Sequence, residues 1–151
     1  MTEQKPPVSL DFLLSQICHL HYIYIIRLLE DLKMYRSQPL VLNALWEREG
    51  LTQGDLAKRL KVTPATSTKM LQRMERAGFI RRVPDETDQR VMRVYLTENG
   101  HAIQNQVMKV WDKLDEDTFA GLLPEDRETL RRIFLHVQQN LLQVTGEEAW
   151  E

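Results

Sequence analysis

Pro64 narrows what this chain can fold into more than any other residue. It follows a run with apolar positions at Leu56, Ala57 and Leu60, and it cannot continue that helix, because it lacks a backbone N–H and its ring clashes with the preceding turn. It does suit the first position of a new helix, with Thr63 before it as the cap. Two helices therefore meet at the short turn Lys61-Val62-Thr63, which is the arrangement of a helix-turn-helix. The first helix starts after Thr52, whose hydroxyl can accept from the first free N–H groups. Asp55, three residues on, makes a near capping box.

From Pro64 onward, Met70, Leu71 and Met74 make a narrow inward stripe, and Gly78 is the residue type that best closes a helix in left-handed geometry. The remaining face carries Ala65, Thr66, Thr68, Lys69, Gln72, Arg73 and Arg76. Small methyl and hydroxyl groups in front suit base edges, and the cations behind them suit phosphates. Ala65, Thr66 and Lys69 are therefore expected at base edges, with Thr68, Gln72 and Arg73 on the backbone, and Pro64 is expected within the same DNA-binding surface.

Two β-prone runs follow, 79–83 and 92–96, around the polar, turn-rich stretch 84–90. They predict a hairpin whose loop is too long for a two-residue turn and projects from the body. Arg90 in that loop is expected to enter a minor groove. Asp88 is expected to brace a wing arginine by a carboxylate–guanidinium pair, because a bare carboxylate facing phosphate would be repelled. Arg82 belongs to the same basic stretch. The fold class that results is mainly α with a small β-hairpin, a winged helix-turn-helix. An ordinary solvated hairpin has the same composition.

Net charge is −2, which looks wrong for a nucleic-acid binder until it is divided. Residues 52–93 hold ten cations and five anions, so this segment is +5 and the rest of the chain −7. Cations that displace counterions help only where they touch DNA, so this sorting is an electrostatic footprint.

The flanks read as helices. Leu10, Leu13, Leu14, Ile17, Cys18, Tyr24, Ile25, Leu28, Leu29 and Leu32 recur at helical spacing, and Leu20, Ile23 and Ile26 make a second apolar face. A helix apolar nearly all round must be buried all round, and one domain of this size has too few neighbours for that, so a partner chain is implied. Val41, Leu42, Leu45 and Trp46 form a second helix closed by Gly50. Thr97 caps a long segment striped by Ile103, Val107, Val110, Trp111 and Leu114, and Leu123-Pro124 resets the chain before a last helix through Leu130, Phe134 and Leu141. The predicted organisation is one domain, 1–151, with dimerisation helices at 9–36 and 98–146 and the winged lobe at 37–97. Asp11, Ser15, Gln16, His19, His21 and Arg27 are expected to interrupt the first helix enough to exclude a membrane span.

Little other chemistry is offered. A phosphate loop, a His-Glu-x-x-His pair and a Gly-x-Ser-x-Gly elbow are all missing from the sequence, and no enzyme or cofactor is expected. The lone Cys18 excludes a disulfide framework, which fits a reducing cytoplasm. Cys18 also invites a redox reading, although mid-helix in an apolar stripe it is more simply a small hydrophobe. Cys18 and His21 share helical spacing but His19 points elsewhere, so no metal site is expected.

The chain resembles the MarR family of bacterial and archaeal regulators. The matching residues are Leu51-Thr52, Leu56-Ala57, Leu71, Met74-Glu75, Gly78-Phe79-Ile80, Arg82, Asp88-Gln89-Arg90, Val94-Tyr95-Leu96-Thr97 and Gly100, with Gln38-Pro39-Leu40 and Leu45-Trp46-Glu47 upstream. Ser67 departs from the pattern, which has an inward aliphatic residue there. The resemblance implies a homodimer on a palindromic stretch of double-stranded DNA. It also implies repression relieved by a small molecule that binds between the first helices and the DNA-binding lobe, for which Tyr22, Tyr24, Tyr35 and Trp46 are the candidate lining. The alternatives are a winged-helix protein–protein module and a thiol-based sensor using Cys18.

Overall fold

The computed structural model describes residues 8–149; the ends of the expected 1–151 domain lie outside them. The elements run α1 (Leu10–Glu30), α2 (Gln38–Glu47), β1 (Leu51–Thr52), α3 (Gln53–Arg59), α4 (Pro64–Arg76), β2 (Ile80–Pro84), β3 (Met92–Leu96), α5 (Glu98–Ala102), α6 (Gln104–Thr118) and α7 (Pro124–Thr145). The chain divides into two compact units, one ending at Leu114 and the other beginning at Asp115.

The core of the first unit is built where the sequence periodicities converge. Leu29 of α1, Val41, Leu42 and Leu45 of α2, Leu56 of α3, Leu71 and Met74 of α4, Ile80 and Val94 of the sheet and Val107 of α6 are all almost fully buried. At the helix-turn-helix, Thr52 Oγ1 accepts from Asp55 N–H at 3.0 Å, and Thr63 Oγ1 accepts from Thr66 N–H at 3.2 Å. The turn between them closes through Lys61, in left-handed geometry (φ 52°), and a Val62 N–H to Ala57 carbonyl bond of 3.0 Å.

The expected hairpin is part of a three-stranded antiparallel sheet, order β1-β3-β2. Ile80 faces Leu96 and Arg82 faces Val94, while β1 adds the pairs Leu51–Val94 and Thr52–Arg93. A two-residue strand has no readable period, so the sequence showed Thr52 only as a helix cap. The segment after Thr97 is likewise not continuous: α5 ends at Ala102, and α6 starts at Gln104.

Only Ile25 and Leu29 of α1 are buried; Leu10, Phe12, Leu13, Leu14, Ile17 and Leu20 are exposed. By length and composition alone α1 is long and apolar enough to cross a membrane. Asp11 and Arg27 lie toward its two ends, and between them only uncharged polar groups and histidines intervene; an apolar core helix meets the same two criteria.

In the second unit, α7 has no buried residue. Its Arg127 reaches back to the Asp115 carboxylate at 2.9 Å and the Phe119 carbonyl at 3.3 Å. Phe119, Leu130, Phe134 and Leu135 line an open cleft of about 410 Å³ beside it.

Candidate nucleic-acid interface

The second helix of the helix-turn-helix, α4, divides cleanly into two faces. Ser67, Leu71 and Met74 are buried with Met70 half-buried, while Pro64, Ala65, Thr66, Lys69, Gln72, Arg73 and Arg76 are exposed. The outward set is the one expected from the sequence, except Thr68: it is half-buried, and its hydroxyl donates to the Pro64 carbonyl at 2.9 Å. The Ser67 hydroxyl is buried without a hydrogen-bond partner, because it occupies a position on the stripe that packs into the apolar core.

The hairpin is fastened to this helix through Arg82. Its guanidinium bonds Glu75 of α4 at 2.7 and 3.1 Å and the Gln53 side-chain oxygen of α3 at 3.1 Å, and its backbone N–H reaches Glu75 at 3.1 Å. Arg82 thereby holds the Glu75 carboxyl below its ordinary range. This arginine ties strand β2 to both helices of the reader, so it shapes the interface from behind.

In the wing, the residues from Asp85 to Arg90 form a loop with Arg90 exposed near its end. Asp88 does not brace an arginine side chain, and this part of the sequence expectation is corrected. Its Oδ1 accepts from the Arg90 backbone N–H at 3.0 Å, a local turn bond that a short carboxylate makes at an i to i+2 spacing. The carboxylate–guanidinium pair in the wing is Asp85 with Arg93. Asp85 Oδ1 also accepts from Thr87 N–H at 2.8 Å, Thr87 Oγ1 at 2.6 Å and Asp88 N–H at 3.1 Å. These bonds, those from Thr87 foremost, hold the Asp85 carboxyl well below the usual carboxylate range. Sequence reading counted Asp85 and Arg93 only as charges. The signal available was Asp85-x-Thr87, a spacing that favours a side-chain-closed turn.

Several cations of the +5 segment face outward. Lys58, Lys69, Arg73, Arg76, Arg81 and Arg90 are exposed, whereas Arg59 pairs with Glu47, Arg82 with Glu75 and Arg93 with Asp85. The Arg81 guanidinium lies over the Tyr95 ring at 4.9 Å, and Arg73 stands 6.0 Å from the Tyr35 ring.

The four aromatic residues expected to line a ligand cleft have different surroundings. Tyr35 borders a cavity of about 350 Å³ with Ser37, Gln38, Thr66, Lys69, Met70 and Arg73, directly beside the outer face of α4. Tyr24 and Trp46 pack against the core, and Tyr22 is exposed with the Arg36 guanidinium 4.7 Å from its ring. Cys18 is exposed on α1 rather than buried. Among the described residues no three His, Cys, Asp or Glu side chains are grouped to hold a metal ion.

Comparison with known proteins agrees with this geometry. The sequence profile of the MarR family matches residues 34–92. The organic hydroperoxide resistance transcriptional regulator of Bacillus subtilis is 33% identical over 106 residues, 70% of this chain and 69% of that one. The HTH-type regulator YybA of the same bacterium is 28% identical over 122 residues, covering 81% and 78% of the two chains. The crystal structure of reduced MarR from E. coli superposes with a TM-score of 0.75 at 25% identity, covering 88% of this chain and 98% of that one.

Proposed function

We propose that this chain, which belongs to the MarR family of transcriptional regulators, works as a cytoplasmic homodimeric repressor that grips a palindromic operator and lets go when a small molecule binds. The observation that carries this reading is the outer face of α4: small groups at Ala65 and Thr66, then Lys69, Gln72 and Arg73, all exposed inside a segment of charge +5. In this reading Ala65, Thr66 and Lys69 meet base edges, with Pro64 beside them at the start of the helix. Gln72 and Arg73 meet phosphates, while Thr68, whose hydroxyl proton is committed to the Pro64 carbonyl, does not, and Arg90 enters the minor groove beside them. Arg82 and Asp88 serve the interface by holding the hairpin and its turn.

The dimer has its own support. The exposed apolar residues of the first half of α1, and Ile133, Phe134, Leu135 and Leu141 of α7, make more apolar surface than a monomer in water leaves uncovered. A second copy that covers α1 also removes the need for a membrane. Two-fold symmetry then sets two recognition helices about one DNA turn apart, ~34 Å. The effector enters at the cavity beside Tyr35, where occupation would press on Thr66 and Arg73 themselves.

The test is a salt titration of binding to random and genomic duplexes, with the retained sequences read out. Retention of one palindromic sequence class, with log affinity falling steeply against log salt, is expected. Salt-insensitive binding, or none, would leave the winged lobe as a protein–protein module.

A second reading uses Cys18, which is exposed on α1. It draws on the relative whose name refers to organic hydroperoxide resistance. A hydroperoxide would oxidise the thiolate to a sulfenic acid and leave as the alcohol. Release from DNA on peroxide addition that disappears in Cys18→Ser would establish it; equal behaviour of the two proteins would dismiss it.

A further inference from the structure

We infer that Asp85 and Arg93 form a latch that fixes the shape of the wing, so that they set DNA affinity through the presentation of Arg90 without touching DNA. The carboxylate is the hub. One oxygen gathers the N–H of Thr87, its hydroxyl and the N–H of Asp88, which curls the loop around it. The other oxygen takes Arg93 Nε. Arg93 then spans to the body of the unit, donating from Nη1 to the Gly50 carbonyl at 2.8 Å. Gly50 is itself fixed, its N–H bonded to the Val94 carbonyl at 2.9 Å.

The backbone closes the same ring from its other side. Asp85 N–H donates to the Val91 carbonyl at 2.8 Å, and Val91 N–H donates to the Asp88 carbonyl at 2.9 Å. A seven-residue loop thus hangs from one buried carboxylate, and Arg90 is held within that loop by Asp88. A solvated wing needs none of this. Ordering the loop in advance removes an entropy cost that binding would otherwise bear. Arg93 is badly placed to be a phosphate contact, because two of its guanidinium nitrogens are already committed inward.

This inference rests on the reading that Arg90 enters DNA, and the experiment separates the two. Affinity for the duplex recovered in the salt titration is measured for the full chain, Asp85→Ala, Arg93→Met, Arg93→Lys, Arg90→Ala and the double variant Asp85→Ala/Arg90→Ala. In parallel, amide hydrogen exchange is followed at Thr87, Asp88 and Arg90.

Asp85→Ala is expected to weaken binding roughly tenfold, although it removes an anion from a DNA-facing loop. In the Arg90→Ala background the same change should cost less than about twofold, since the latch then has nothing to present. Arg93→Met should match Asp85→Ala, Arg93→Lys should recover part of the loss, and the three amides should exchange faster in Asp85→Ala and Arg93→Met. Tighter or unchanged binding by Asp85→Ala overturns the latch, as does an equal cost in both backgrounds. If Arg90→Ala binds like wild type, or no duplex binds at all, the DNA reading of the wing falls. The exchange data still decide the latch, which unchanged amides would overturn.

Discussion

The indole N–H of Trp46 donates to the carbonyl oxygen of Gly100 at 2.9 Å, so the end of α2 is pinned to α5 beneath the sheet. Gly100 is required there by space, because a Cβ would meet the Phe79 carbonyl oxygen at 2.1 Å. That oxygen is also the acceptor for Thr97 N–H at 3.0 Å and cannot simply move away. Gly100→Ala is expected to lower stability by on the order of 3 kcal/mol, as overpacking against fixed backbone does. Trp46→Phe, which strands the Gly100 carbonyl, should cost about 1–2 kcal/mol. Urea denaturation of both variants checks this, and an unchanged midpoint for Gly100→Ala would contradict it.

Ser67 gives the opposite sign. Its hydroxyl is 1% exposed and has no hydrogen-bond partner, so removing it relieves an unpaid desolvation. Ser67→Ala is expected to raise stability by roughly 1 kcal/mol and to leave DNA affinity unchanged, since the outer face of α4 is not altered. A loss of stability would mean that the hydroxyl has a partner after all.

The parts legible in the sequence were those in which a residue type enforces local geometry. Thr52, Thr63, Pro64 and Gly78 fixed both helices of the reader, because caps and breakers act through bonds to their own neighbours. The stripe Leu71 and Met74 fixed which side of α4 faces outward. What stayed hidden depended on partners distant in sequence. Arg82 reads as one more basic residue until Glu75 and Gln53 are seen around it. Asp85 and Asp88 are both carboxylates in a turn, and only the packing of Arg93 across the sheet decides which one takes the guanidinium. Trp46 looked like cleft lining for the same reason: its N–H partner lies 54 positions away.

Arg73 is one of the exposed cations of α4, and the proposed function places it on a phosphate. Arg73→Ala is expected to weaken binding to all duplexes alike and to flatten the slope of log affinity against log salt by about one. Thr66→Ala, by contrast, should relax preference at one operator position at a cost of about 1–3 kcal/mol and leave the slope alone. Intact affinity and slope in Arg73→Ala would remove it from the interface.

Removal of residues from Leu130 onward deletes most of α7 and with it Ile133, Phe134, Leu135 and Leu141. Soluble dimer should be lost, with aggregation in its place as apolar surface on the remaining chain goes uncovered. Sedimentation of either the intact or the shortened chain as a compact soluble monomer at micromolar concentration would argue against dimerisation through these helices.

Acid should loosen the winged lobe first. Asp85, held low by Thr87 and Arg93, Glu75, held low by Arg82, and Asp55, held low by Thr52, all have folded-state pKa values below their ordinary ones. A depressed carboxyl contributes stability that is full above its unfolded value, roughly pH 4, and that is lost as pH falls through the folded value. At neutral pH the wild type should therefore be more stable than Asp85→Asn, and the gap should shrink as pH drops below about 4, where the carboxyl of the unfolded chain takes up a proton while the folded one is still ionised. Paired denaturation curves at neutral and acid pH decide the point, with amide exchange at Thr87 and Asp88 reporting whether the wing opens before the core. A stability gap that stays constant across this range would show that the Asp85 charge is not what the wing depends on.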